Sequence, residues 1–305
     1  MLRETRKYKI IRLIAHNILL TTYLFLIKFQ FMRKIFLLLL LVSVFNTLDA
    51  QELKKIDESS MLFIYNYQFC EEHKNPESIK SFEMGLEIGK LYSRFYNLNQ
   101  AYMDSLMMLY ANESPQVVLA KLMPAMNGLS KHQFCSYYVF KNYPSSGTTV
   151  FLGNLSFGGS YKVSEKLQFE WKIDNATKAV ILGLNCKKAT CRYAGRDYEA
   201  WFTPDIPVSD GPYKFCGLPG LIVKLQDSEK EHIFELQEIK KVNNKPMYFP
   251  ERAYVASSAQ GYIKALEASK AEMIKQVEAG TSNNPDMIAR AIARVQRQNN
   301  FIERY

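Results

Sequence analysis

The fourteen residues Asp210–Val223, DGPYKFCGLPGLIV, hold three glycines and two prolines and run directly into an apolar segment. No other stretch restricts the fold of this chain as strongly. Gly211-Pro212 and Leu218-Pro219-Gly220 suit tight turns, because proline presets the first corner and glycine accepts a positive φ at the second. Gly217 and Gly220 also let another backbone or an aromatic ring come close. The two turns frame Tyr213–Cys216 as a short rigid segment, and Leu221-Ile222-Val223 anchors it in a core. The expectation is a stiff, self-packed corner that fixes strand register. The functional alternative is a preformed ledge for a partner or ligand. Its candidate interaction residues are Trp201, Gly211, Pro212, Tyr213, Phe215, Gly217, Leu218, Pro219, Gly220, Leu221 and Ile222.

Around this corner the chain alternates as strands do. Phe63, Tyr65, Tyr67 and Phe69 share a face of a first strand over 61–69. Residues 82–88 read as a second strand, which 91–96 continue. Strands are also expected at 134–141, 150–157, 179–184 and 186–193, then at 198–202, 221–225 and 233–239. Turns fall at Pro144–Gly147, Gly158-Gly159, Asp174-Asn175 and Gly195–Asp197. Pro204 and Pro207 exclude a central strand after Phe202.

Two helical regions interrupt the pattern. Asn99 is a candidate cap for a helix carrying Tyr102, Leu106, Leu109 and Tyr110. Ser114-Pro115 begins a second helix that Pro124 and Gly128 should stop. The five methionines from Met103 to Met126 read as helix packing, with a greasy contact surface or a soft metal site as alternatives. Near the C-terminus, Ser257 or Ser258 caps a helix with Tyr262, Leu266, Met273 and Val277 on one face. Asn284-Pro285 opens another, with Ile288, Ala291, Ile292 and Val295 inward and Arg290, Arg294 and Arg297 outward. An arginine stripe of this kind is read as a solvated face before a lipid contact.

The N-terminus reads as a leader. From Met32 the chain shows a charged pair (Arg33, Lys34), an apolar run over 35–45 and a small residue at Ala50, so cleavage would leave Gln51 first. Residues 1–31 are taken as an upstream extension outside the mature protein, with translation starting at Met32; a membrane span is the other reading. Residues 1–50 hold eight basic and two acidic residues, which leaves 31 basic against 28 acidic and a charge of only +3 on the rest. Nucleic acid is therefore not an expected partner, and no transmembrane segment is expected in the mature chain.

Export would place five cysteines (Cys70, Cys135, Cys186, Cys191, Cys216) in an oxidising compartment. A Cys186–Cys191 disulfide requires a turn across Lys187–Thr190, because in one straight strand the two lie too far apart. The odd count leaves a thiol unpaired. Beyond residue 50 there are three histidines, His73, His132 and His232, and no CxxC, HxH, HExxH, Walker loop or dinucleotide fingerprint. No metal, cofactor or catalytic residue is expected. Arg196-Asp197 beside Glu199 reads as an ion pair at a turn.

Gly217–Ile222 spells GLPGLI. Around it stand Cys186-Lys-Lys-Ala-Thr190, Gly195-Arg-Asp-Tyr198, Ala200-Trp-Phe202, Ile206-Pro207 and Gly211-Pro212. With the 63–69 strand and Leu86-Glu-Ile-Gly89, the chain resembles the GLPGLI protein family over roughly 60–245, most densely over 180–227. The resemblance implies an exported protein of Gram-negative bacteria, in the periplasm or at the inner face of the outer membrane. It assigns no activity and no catalytic residues.

The expected fold is α+β: a mainly antiparallel, twisted sheet, open or barrel-like, over 60–245. A helical insertion at 99–128 and C-terminal helices at 257–301 complete a single mature domain, 51–305, with the helices covering one sheet face. The function expected is a non-enzymatic periplasmic binding or assembly factor, taking an envelope protein or an apolar ligand in a groove between sheet and helices. The alternative is a thiol-dependent or hydrolytic envelope enzyme using Cys216 or Cys191.

Overall fold

In the computed structural model, residues 52–127, 135–280 and 285–305 are described. The leader, His132 and the residues around Gly128 lie outside them. The chain begins with β1 (Glu52–Cys70), β2 (Ile79–Gly89) and β3 (Ser93–Asn97), followed by α1 (Leu98–Leu109) and α2 (Pro115–Asn127). Then come β4 (Tyr137–Lys141), β5 (Thr148–Leu155), β6 (Gly159–Lys166), β7 (Lys172–Ile181), β8 (Leu184–Tyr193) and β9 (Arg196–Thr203). After the glycine-rich corner follow β10 (Leu221–Asp227), β11 (His232–Glu251) and β12 (Val255–Ser257), with α3 (Ala259–Ala279) and α4 (Pro285–Gln296) last.

All the strands join one 12-stranded sheet in the order β12-β6-β5-β4-β3-β2-β1-β11-β10-β9-β8-β7. Every pairing is antiparallel except β12 with β6. The sheet is open, so it is not a barrel. Its β7 edge is largely solvated, with Val180 exposed. The long ribbon of β1 and β11 forms its spine. Register shifts near Lys55, Ser59 and Ile64 bend this ribbon, and Phe249 near its end packs at a tilt against Phe140, with ring centres 4.9 Å apart.

Alternation explains why both faces of the sheet are buried. On one face Phe63, Tyr65, Met84, Leu86, Phe95, Val139 and Phe151 meet the glycine-rich corner and the start of α3. On the other, Tyr96, Tyr138, Phe140, Val150, Leu152 and Phe249 meet Leu98 and Ala101 of α1. The helices therefore flank both faces, not one. Adjacent residues such as Phe95 and Tyr96 point opposite ways in a strand, so each can serve a different core.

Several local expectations are corrected. Residues 91–96 do not continue β2: the chain turns, and Leu91 and Tyr92 donate their N–H groups to Asp57 before β3 returns antiparallel. Asn97, not Asn99, caps α1 by accepting from Gln100 N. Pro124 lies inside α2 and does not end it. Asp174 causes a register shift within β7 instead of a reversal, accepting from Ala176 N and Thr177 N. Met103 is buried, but Met107, Met108 and Met123 are exposed, so the helix pair carries most of its described methionines outward. β8 runs extended through Lys187–Thr190, paired with β9 throughout, so Cys186 and Cys191 cannot meet; both are free, as are the other three cysteines.

Ser258 caps α3 through Gly261 N. Along α4, Val295 is buried and Arg290, Arg294 and Arg297 are exposed, as expected. No described helix is long and apolar enough to cross a membrane.

Candidate functional site

The corner itself is closed. Tyr213, Lys214 and Phe215 are buried, as are Gly211, Pro212, Leu218, Gly220, Leu221 and Ile222; Trp201 is half-buried, and Gly217 and Pro219 are exposed. Tyr213 takes a positive φ of 53°, and an isolated bridge pairs Asp210 with Cys216. Lys141 reaches in from β4: its Nζ donates to Gly211 O at 2.6 Å and Phe215 O at 3.1 Å and pairs with Asp210. Tyr65 Oη donates to Ile222 O at 2.7 Å, and Trp171 Nε1 to Cys216 O at 2.8 Å. Gly220 has φ 144°, and a Cβ there would overlap the Thr203 carbonyl oxygen. The residues named as a ledge are mostly interior: this loop organises the fold and offers little surface.

Beside it lies open space. A pocket of about 440 Å³ separates the aromatic sheet face from α3, α4 and the C-terminal tail. β1 and β2 supply Tyr67, Phe69 and Phe82, while β4, β5 and β6 supply Tyr137, Phe151 and Val163. The opposite wall is Tyr262, Ile263 and Leu266 of α3, with Phe301 and Ile302 of the tail. The bare Cα of Gly153 admits the Tyr262 ring: a Cβ would sit 2.5 Å from its hydroxyl. That ring meets Phe151 edge-on at 5.0 Å. Tyr67 stacks on Phe234 at 4.1 Å, and Phe69 on Phe82 at 5.5 Å.

Two atoms of these residues, the Tyr137 hydroxyl and His232 Nε2, are fully buried and make no hydrogen bond of good geometry, although Tyr137 meets Cys135 and His232 meets Asn300. The other His232 nitrogen, Nδ1, lies 2.8 Å from Tyr67 Oη. Burial pushes His232 down to about 3, and the neighbouring Arg196 adds to the effect, so the ring is neutral at pH 7. Burial pushes the nearby Cys135 thiol up to about 12, despite a contact with Tyr137.

The tail is held by buried charge. Lys214 Nζ lies 2.7 Å from Glu303 and 2.7 Å from Glu165, and Tyr193 and Tyr213 donate to Glu303 at 2.8 Å each. Arg196 is buried as well. It pairs with Asp227 at 2.5 Å, lies 3.4 Å from Glu231, and donates to Asn300 and to Phe301 O. This corrects the expected Arg196–Asp197 turn pair: Asp197 points to the opposite side and meets exposed Arg192. Alternation along β9 is the physical reason.

His73, Glu229 and Glu231 converge closely enough to be weighed as a cation site. Arg196 and Arg304 already occupy those carboxylates. Burial alone would raise the Glu231 carboxyl. Hydrogen bonds from Lys74 N–H, His73 and Arg196 outweigh that effect and hold it at about 2. The cluster is thus a clamp on the tail.

For the enzymatic alternative, Cys216 and Cys191 show no hydrogen bond to a histidine among the described residues, and burial pushes both thiols up, Cys191 to about 12. Sequence reasoning missed Tyr137 and Arg196 as pocket and clamp residues. It counted His232 among three histidines without a role, whereas the structure buries it. The one legible signal was three cationic or aromatic motif residues, Arg196, Tyr213 and Lys214, in otherwise structural segments.

The sequence model of a family described as "Protein of unknown function (Porph_ging)" matches residues 194–224, which covers the Gly195 turn, β9 and the whole corner. No curated protein matches the chain. Among solved structures, PNGF-II in its P21 crystal form is similar at 17% identity and a TM-score of 0.44, with 70% of this chain and 34% of that chain covered. The C2 form gives 16% identity and the same TM-score, with 70% and 33% covered. This chain thus spans about a third of the length of the PNGF-II chains.

Proposed function

We propose that this chain is an exported cell-envelope protein of the GLPGLI kind, a non-enzymatic periplasmic factor that binds an apolar ligand between its sheet and its C-terminal helices. The observation that carries the reading is the 440 Å³ pocket with its aromatic and aliphatic lining between sheet and helices. A volume in this range with few convergent polar groups suits a small-molecule site. The leader over 32–50 and the GLPGLI resemblance support the placement in the envelope.

The test uses the mature chain, 51–305, and Nile red, a neutral dye that brightens in apolar surroundings. The dye should bind at one site and lose that site in Leu266→Trp, which fills the pocket, while Trp201→Ala on the far strand binds normally. Equal binding by the wild type and Leu266→Trp would exclude this pocket. For the export half, a tagged full chain should fractionate with the periplasm and begin at Gln51. A cytoplasmic, uncleaved chain would overturn that half alone.

A further inference from the structure

We infer that the pocket takes an amphiphile with an apolar chain and a single carboxylate, the chemistry of a free fatty acid, and that the carboxylate sits at the mouth on Arg294. The inference rests on the pocket being a ligand site and adds the head group of its occupant.

Three arginines form the outward stripe of α4, and they are not equivalent. Arg290 Nε donates to Asp286 O at 3.1 Å and Arg297 Nε to Ala293 O at 3.3 Å, so both fold back on their own helix. Neither lines the pocket. Arg294 does, and it is exposed to solvent there. Among the described residues its guanidinium has no ion-pair or hydrogen-bond partner. A guanidinium presents a planar fork of donors that a carboxylate meets with both oxygens.

The other charges of the lining are already matched, and this fixes which way round the ligand lies. Lys80 pairs with Glu71. Lys214 and Glu303 are buried, and with Glu165 they set one cation against two carboxylates. Tyr193 and Tyr213 complete that cluster by donating to Glu303. A ligand carboxylate beside it would add a further negative charge away from water, which is strongly disfavoured. At Arg294 the same group stays in contact with water and meets an unmatched positive charge. An ammonium at that point would meet like charge. A phosphate monoester would bring nearly two negative charges to one cation.

The head group therefore stays outside and the chain goes in. Phe69 and Phe82 on the sheet side and Ile263 and Leu266 of α3 give hydrocarbon an apolar bed, and Phe151 and Val163 extend it. The arginine stripe thus divides into two residues that lie along their helix and one that serves the pocket.

The experiment displaces Nile red from the mature chain at pH 7 with octanoate, octanamide, octylammonium or octyl phosphate, which share one chain and differ in the head. Octanoate should displace the dye at the lowest concentration. Arg294→Gln should weaken octanoate by about fivefold, the upper range for an exposed ion pair, and leave octanamide and Nile red unchanged. Arg294→Lys should restore part of the loss, and raising the salt to 0.5 M should reduce the octanoate advantage in the wild type alone. Equal or better displacement by the amide, the amine or the phosphate, or an octanoate affinity that Arg294→Gln does not alter, overturns the inference while the pocket reading stands. Absence of Nile red binding overturns both.

Discussion

The glycine-rich corner and the pocket lie side by side and share Tyr213 and Lys214, yet they are built on opposite principles. In the corner, carbonyl groups released by the turns are claimed from outside: Lys141 takes Gly211 and Phe215, Trp171 takes Cys216, and Tyr65 takes Ile222. The pocket instead leaves a space of about 440 Å³ between aromatic side chains, and the buried Tyr137 Oη and His232 Nε2 behind it make no hydrogen bond of good geometry. The most restricted stretch of the sequence is therefore the scaffold. The open space is lined by residues that look ordinary in the sequence.

The largest effect that would break this contrast is at Gly220. Gly220→Val forces a Cβ onto the Thr203 carbonyl at φ 144°. It should cost more than about 4 kcal/mol, beyond the usual range for one substitution, and leave a chain that fails to melt cooperatively in circular dichroism. A folded Gly220→Val would show that the corner is not the scaffold.

Next come the buried charges beneath the tail. Lys214→Met strands Glu303 and Glu165, and Arg196→Met strands Asp227. Each should cost about 3–5 kcal/mol, because the partner charge is left buried and unpaired. Urea denaturation measures the loss. Limited proteolysis should cut the tail near 297–305 first.

Acid should act more gradually. The unfolded chain protonates His232 near 6.5 and the folded one only near 3. Stability from this group is thus full above 6.5 and falls as pH drops towards 3, at up to about 1.4 kcal/mol per pH unit. Glu231, at about 2 in the fold against 4.5 unfolded, adds a second loss from 4.5 down to 2. Melting temperatures from pH 7 to pH 3 measure both. His232→Gln should remove the upper part of the slope, and an unchanged slope would mean that His232 is already charged in the fold.

The smallest effect sharpens the comparison from the pocket side. Tyr137→Phe removes a hydroxyl with no well-formed hydrogen bond, so stability should stay within about 1 kcal/mol of the wild type. A loss well above that would mean that the hydroxyl holds the fold together, as the corner's polar groups do.

Much of the strand pattern was legible in the sequence because it is local. Alternation placed Phe63, Tyr65 and Tyr67 on one face, and Ser114-Pro115 and Ser258 marked helix starts. The errors cluster where a side chain captures the backbone: Asp57 turns the chain at Leu91-Tyr92, Asn97 outcompetes Asn99 as a cap, and Asp174 makes a shift in β7 look like a hairpin turn. Barrel and open sheet share the same alternation, so the edge strands alone decide between them.

By itself the sequence determined that Asp210–Val223 must turn sharply twice, that aromatic strands surround it, and that no familiar catalytic or metal motif accompanies it. Only the tertiary structure decided what Arg196, Lys214, Tyr137 and His232 do. Their partners come from distant parts of the chain: Tyr67 for His232, Asn300 for Arg196 and Glu303 for Lys214. Whether a lysine is a solvated surface charge or a buried clamp, and whether a tyrosine hydroxyl is satisfied or held open, depends on groups that alternation and turn chemistry cannot bring together. Long-range packing does that, and it opens the pocket beside the corner and not within it.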